Sequence, residues 1–198
     1  LFFSGNDLLM VVFSLALADT FLVLAAYSTN SPYCFIGAKR ELIQGLASEP
    51  ILLLSAVGMF IVCKSFLVED ILVSGKYPVV YLPGLLAALL FILTIKLRKS
   101  PFDLATAHHA HQELVKGLTT EFAGPTLGYF EIAHWYESII ILGIIFLFFS
   151  ANIYIGIIAV LAAYFMEILI DNSYARLKFR HTLELSWFIT ILLGVGNL

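Results

Sequence analysis

Apolar residues run through this chain in blocks of about 17 to 21, the length that crosses a hydrocarbon layer of roughly 30 Å as helix. The blocks cover 8–27, 50–68, 78–97, 129–149, 153–170 and 183–198, and predict six spans. The intervals between them are polar. The first, 28–48, contains Ser31-Pro32 and then Gly37-Ala38-Lys39-Arg40-Glu41, and reads as a loop with a short interfacial helix. Pro83-Gly84 kinks the third span or marks its true start. The longest polar interval runs from Lys96 to Gly124, and the chain is organised around it, since no other interval is as long or as rich in titratable groups. Pro101 ends the helix arriving from upstream, because it lacks an N–H and holds Ser100 extended. Asp103 can cap a short helix over 104–118, and Ala123-Gly124-Pro125 closes the interval.

Runs of helical length exclude a membrane β-barrel, whose strands would be short and alternate apolar with polar. The expected fold is therefore an all-α polytopic helical bundle, a single membrane domain over 1–198 with about six transmembrane helices. Six spans put the intervals 28–48, 98–128 and 171–182 on one side. They carry Lys39, Arg40, Arg98, Lys99, Lys116, Arg176, Lys178 and Arg180, against Lys76 alone in the opposite loops. Positive charge marks the cytoplasmic side, so the large polar loops are expected there. Composition agrees: 61% of residues are hydrophobic and 13% charged, far below the roughly 25% charged of soluble domains. The net charge of −3 offers nothing to a nucleic acid. Cys34 and Cys63 lack metal-ligand spacing and read as small buried apolar residues.

Carboxylates inside or beside the spans are the candidate chemistry. An ionised Asp within a span costs about 2.5–3.5 kcal/mol on insertion scales, so Asp19 must face protein or water, or be protonated. Glu41, Glu49, Glu113, Glu121, Glu131, Glu137 and Glu167 extend the row. Glu131, His134 and Glu137 recur every three residues along one drifting stripe, flanked by Trp135 and Tyr136, whose amphipathic rings suit the interface. Burial raises a carboxylate pKa and a nearby cation lowers it, so such a row can take up and release protons. Each carboxylate taken singly also fits a helix cap or a fixed hydrogen-bond partner. In the polar interval His108, His109 and His111 stand close together, yet zinc would need three or four ligands and a second shell. With Arg98 and Asp103, they read as a docking surface. No phosphate-binding, dinucleotide or Cys-x-x-Cys signature occurs.

Ser100-Pro-Phe-Asp103, His-Ala-His-Gln-Glu-Leu-Val-Lys-Gly over 109–117 and Thr-Glu-Phe-Ala-Gly over 120–124 together resemble the membrane-anchor subunit shared by respiratory complex I and energy-converting [NiFe] hydrogenases. Ser28 to Arg40 and Ala175 to Arg180 resemble further family patches in the same order. The His-rich interval, with Glu-Ile-Ala-His-Trp-Tyr-Glu at 131–137, is more similar to the Ech-type hydrogenase branch. Phe122 and Ala123 depart from the Tyr and Ser of the complex I form, and His134 stands near a family carboxylate. The family has eight spans, so the resemblance implies that this chain holds the third to eighth and that its beginning at Leu1, without Met, is not the start of the full protein.

The resemblance implies a membrane-anchor and coupling subunit in the cytoplasmic membrane of a bacterium or archaeon. It would link a peripheral redox arm to H⁺ or Na⁺ translocation. Partners would be the iron–sulfur small subunit and the large subunit of a hydrogenase, antiporter-like membrane subunits and the lipid bilayer. The [NiFe] centre and the clusters would sit in those partners, with no cofactor in this chain. Two alternatives stay open: a subunit walling the quinone chamber of a complex I-like oxidoreductase, and a stand-alone secondary transporter. Against the transporter, the spans show no internal repeat.

Overall fold

In the computed structural model the described residues are 7–98, 102, 117–174 and 179–198. They form helices joined by short turns, and among them the only extended pairing is an isolated bridge between Asp7 and Leu67. The helices are α1 (Leu8–Tyr27), α2 (Pro32–Cys63), α3 (Val68–Val73), α4 (Pro78–Tyr81), α5 (Pro83–Lys96), α6 (Pro125–Leu147), α7 (Ile153–Ser173) and α8 (Phe179–Ile189). A 3₁₀ turn spans Gly117–Thr119, and α8 continues as a π turn over Thr190–Gly194 and a 3₁₀ turn over Val195–Asn197. The chain is thus a polytopic membrane helical protein.

Helix starts follow local chemistry. Pro32, Pro78, Pro83 and Pro125 each open a helix, where their missing N–H costs nothing and their fixed φ is already helical. Asp7 caps α1 by accepting from Leu9 N–H at 2.9 Å, and Asn152 caps α7 by accepting from Tyr154 N–H at 3.0 Å.

α1, α2, α6 and α7 are long and apolar enough to cross a membrane. The remaining two expected spans are interrupted: 78–96 breaks at Leu82 between α4 and α5, and the last helix passes into π and 3₁₀ turns. Pro83 is therefore a start and not a kink. The fourth span begins at Pro125, one turn before the expected 129, and the helix expected over 104–118 lies mostly outside the described residues, its last two forming part of a 3₁₀ turn.

The largest difference from expectation is α2. The stretch read as a loop with a short interfacial helix is the first half of one continuous helix of 32 residues, about 48 Å long. That exceeds the hydrocarbon thickness, so its polar residues need not end it. Gly37 makes the packing of this half possible: a Cβ there would lie 2.3 Å from Leu118 N, so only glycine lets the Gly117–Leu118 backbone lie against α2. Pro50 sits inside the helix and deprives the Leu46 carbonyl of its donor.

α2 is the central element, packed against α1, α5, α8 and the Gly117 turn, while α6 bridges α5 and α7. The core is built from Ile51, Leu52 and Met59 of α2, Leu85, Leu89 and Ile92 of α5, and Ile141 and Ile145 of α6. Lipid is as apolar as these side chains, so close packing rather than burial from water holds them together. Apolar residues such as Phe13 and Phe21 on α1 and Ile158 and Phe165 on α7 face outward. Helices alternate in direction. At one end lie the α1–α2 turn, the exit from α5 and the Gly117 turn, and at the other Leu8 N–H bonds Phe66 O, Val79 N–H bonds Phe148 O and Asn197 meets Gly84.

Candidate coupling site

Near the first end, in the last turn of α5, Lys96 is 7% exposed and holds two carboxylates from other helices. One is Asp19 of α1; the other is Glu137 of α6, whose Oε1 lies 2.8 Å from Nζ. Two residues on, Arg98 donates from Nη2 to Glu41 Oε1 of α2 at 2.7 Å and stacks 4.9 Å from the Phe130 ring centroid. Gln44 Nε2 donates to Phe102 O at 2.7 Å, which ties the chain leaving α5 back onto α2. α1, α2, α5 and α6 thus each supply a charged group to one cluster. Asp19, Glu41 and Glu137 against Lys96 and Arg98 leave one surplus negative charge when His134 is neutral.

His134 stands beside this surplus. Its Nδ1 lies 3.6 Å from Glu137 Oε2, too far for a hydrogen bond, and makes no other among the described residues. A proton on His134 would neutralise the cluster; a proton on any of the carboxylates would do the same. Lys96 donates to Asp19 and Glu137 at once, so the two carboxylates share one ammonium. A charge change at one of the three groups is therefore felt by the other two through short contacts. A cavity of 360 Å³ lined mainly by apolar residues of α1 and α6, among them Leu15, Leu22 and Ile140, runs up to Asp19, His134 and Glu137.

The other sequence candidates are placed as follows. Glu49 is half-buried one turn from Gly45, and Glu121 and Glu131 are exposed. Glu131 precedes Glu137 by six residues, a rotation of about 120° away from it around the helix, so the three-residue stripe drifts out of the bundle. Glu167 is 2% exposed but belongs to a different place, a 720 Å³ apolar cavity between α5, α6 and α7. Arg98, grouped by sequence with a docking loop, is buried at 6% exposure and committed to Glu41. Asp103, His108, His109, His111 and Glu113 lie outside the described residues.

Lys96 and Gln44 do not stand out as site residues in the sequence. One signal points to Lys96: membrane-embedded carboxylates require cations, and Lys64 and Lys96 are the basic residues at the ends of apolar runs. Lys64 ends α2 in a left-handed conformation at the opposite end of the bundle, which leaves Lys96.

Comparison with known proteins agrees with this architecture. The chain is 36% identical over 138 residues to hydrogenase-4 component C of Escherichia coli, covering 68% of this chain and 42% of that protein. It is 29% identical to formate hydrogenlyase subunit 4 of the same organism over 92% of this chain and 64% of that one. It is also 29% identical to an NADH-quinone oxidoreductase subunit of Aquifex aeolicus, over 62% of this chain and 37% of that one. The chain therefore spans between about a third and two thirds of the length of these relatives. Among solved structures, a chain of the membrane-bound sulfane sulfur reductase, an archaeal respiratory membrane complex, shares the fold with a TM-score of 0.69 at 24% identity, over 89% of this chain and 64% of that chain. The sequence profile described as NADH dehydrogenase matches residues 2–198, and the chain belongs to that family.

Proposed function

We propose that this chain is the membrane-anchor and coupling subunit of an energy-converting [NiFe] hydrogenase complex. In this reading the Lys96 cluster passes redox-driven charge changes into ion movement. The observation that carries the coupling role is the sharing of one buried ammonium by carboxylates of two separate helices, beside a histidine whose Nδ1 makes no hydrogen bond among the described residues. A purely structural ion pair would need neither the second carboxylate nor the unbonded imidazole. The two relatives from hydrogenase complexes support the branch. The polar end of the bundle faces the cytoplasm, where the interval 98–124 meets the iron–sulfur subunit, and the [NiFe] centre and clusters reside in partner subunits. Antiporter-like membrane subunits would complete the ion route.

A quinone-reducing complex is the second reading. It is favoured by the Aquifex relative and by the apolar 360 Å³ cavity ending at Asp19 and Glu137, which suits an apolar ligand with a hydrogen-bonding head. The deciding experiment is isolation of the tagged chain from its native membrane. Nickel, iron and dye-linked hydrogen turnover in the purified complex are expected. Quinone reduction without nickel would select the second reading, and a chain isolated alone would contradict both.

A further inference from the structure

α6 and α7 meet tightly beside the turn that joins them and part further along. A Cβ on Gly156 would lie 2.5 Å from the Phe146 ring, so the close approach of the two helices there needs glycine. Beyond that contact lies the 720 Å³ cavity that contains Glu167. α6 lines it only with Ile145 and Phe149, next to the turn, whereas α7 lines it from Ala159 as far as Tyr174, and α5 and α8 contribute Leu90 and Leu185 among others. Along α7 the lining residues Ala159, Ala163, Glu167 and Ile170 recur every three or four positions and form one face. Small residues on a membrane helix ordinarily let a neighbouring helix come close. Here Ala159, Ala162 and Ala163 border open space instead.

The mouth lies between α7 and α8. Met166 and Leu185 line the cavity and are 55% and 38% exposed, while Ala163 and Ile145 on its inner wall are 6% and 1% exposed. Beside the mouth, the outer surface of α7 continues through Ile158, Leu161 and Phe165, all of them exposed. α7 is long and apolar enough to cross a membrane, so that surface is bathed in acyl chains. The medium at the mouth is therefore lipid and not water.

The walls select the same occupant. A buried water needs two to four polar partners. Among the lining residues only Thr94, Glu167 and Tyr174 carry polar side chains, and the Thr94 hydroxyl already donates to Phe91 O. An empty cavity would leave its lining without dispersion contacts, whereas an acyl chain restores them and leaves one apolar medium for another. The dimensions fit as well. From Ala159 to Ile170 the wall runs about 16 Å along α7 at the helical rise, and an acyl chain covers half of the roughly 30 Å hydrocarbon core, about 15 Å. The volume falls in the range of about 300–1,000 Å³ typical of ligand cavities. Glu167 is the one charged residue of the wall, and its carboxyl disfavours a phosphate inside. The headgroup then stays at the rim, where the ring of the exposed Tyr174 suits the headgroup level.

We propose that the cavity between α5, α7 and α8 is a binding site for one acyl chain of a membrane phospholipid. The chain enters tail first between α7 and α8 and fills the space that α7 leaves against α5, so the lipid packs as part of the bundle. This site is separate from the Lys96 cluster and does not depend on the coupling reading.

The test uses the tagged chain, purified together with its partners and placed in vesicles of phosphatidylethanolamine and phosphatidylglycerol that carry a photoreactive diazirine on the acyl chain. After light, labelled residues are mapped by peptide mass spectrometry, with and without a detergent wash before irradiation. Label is expected at the inner-wall residues Leu90, Ile145 and Ala163 and should survive the wash, while label at Ile158 and Phe165 on the outer face should be washed away. Ala162→Phe places a ring at the exposed mouth; overpacking costs of 1–3 kcal/mol correspond to a fall of about tenfold or more in inner-wall label. Ile158→Phe, on the outer face, should leave that label unchanged. Inner-wall residues that stay unlabelled would overturn the site, as would label that washes out equally from both faces or that Ala162→Phe leaves intact. A cryo-EM map with a partner's helix or a quinone in the cavity would overturn it too. Should Ala162→Phe fail to assemble, Ala162→Leu carries the same outcomes with a smaller added volume, and the wash comparison on the unaltered chain decides by itself.

Discussion

The two ends of the bundle treat their polar groups differently. At the end where Leu8 bonds Phe66 and Asn197 caps α5, polar side chains pair with backbone groups: Asn197 Oδ1 accepts from Gly84 N–H at 2.6 Å, Ser74 Oγ donates to Ile71 O at 2.7 Å, and Lys76 Nζ donates to Val62 O at 2.7 Å. At the other end charged side chains of different helices pair with one another, and Glu41, Gln44, His134, Thr182 and Ser186 retain atoms without a hydrogen-bond partner among the described residues. A satisfied polar group has one stable arrangement, whereas a shared or half-satisfied one has several close in energy. In the proposed reading the first end holds its shape and the second changes its protonation.

Substitutions should expose this asymmetry. The largest effect is expected from Lys96→Met, which leaves Asp19 and Glu137 buried without a cation and costs about 3–5 kcal/mol. The subunit should be lost from the complex or unfold at lower temperature in detergent. Adding Glu137→Gln to Lys96→Met should recover part of that loss, and the absence of any recovery would mean the two groups are not coupled. At the opposite end Asn197→Ala removes the cap on α5 and should cost about 1 kcal/mol, in the range of other lost helix caps. Its ion-to-electron ratio should match the wild type. Glu131→Gln, on the exposed side of α6, should change stability by less than about 0.5 kcal/mol, as surface substitutions do.

Much of this fold is legible in the chain. Block length gives the spans, and proline gives the starts of α2, α4, α5 and α6. The same rule misleads at Pro50, where a proline inside a helix has the look of one that opens it. Hydropathy cannot show that a helix continues after it leaves the membrane, so the polar first half of α2 reads as a loop. In the site, individual carboxylates stand out because each is costly in a span, but which of them converge depends on helix rotation and register. Asp19 and Glu137 meet through Lys96, whereas Glu131 turns outward and Glu167 faces another cavity. The buried hydroxyls of α8 are less legible still. Ser and Thr are common in membrane helices, and only the structure shows that Thr182 and Ser186 are buried with hydroxyls left over.

The most direct test compares two carboxylates of the same helix. Glu137→Gln and Glu131→Gln each remove one charge while keeping shape and hydrogen-bonding capacity. In vesicles containing the assembled complex, ions moved per electron and turnover with an artificial electron donor are measured for both variants. Glu137→Gln should keep turnover and lose ion movement, while Glu131→Gln keeps both. Wild-type ion movement in Glu137→Gln, or an equal loss in the two variants, would contradict a coupling role for the Lys96 cluster.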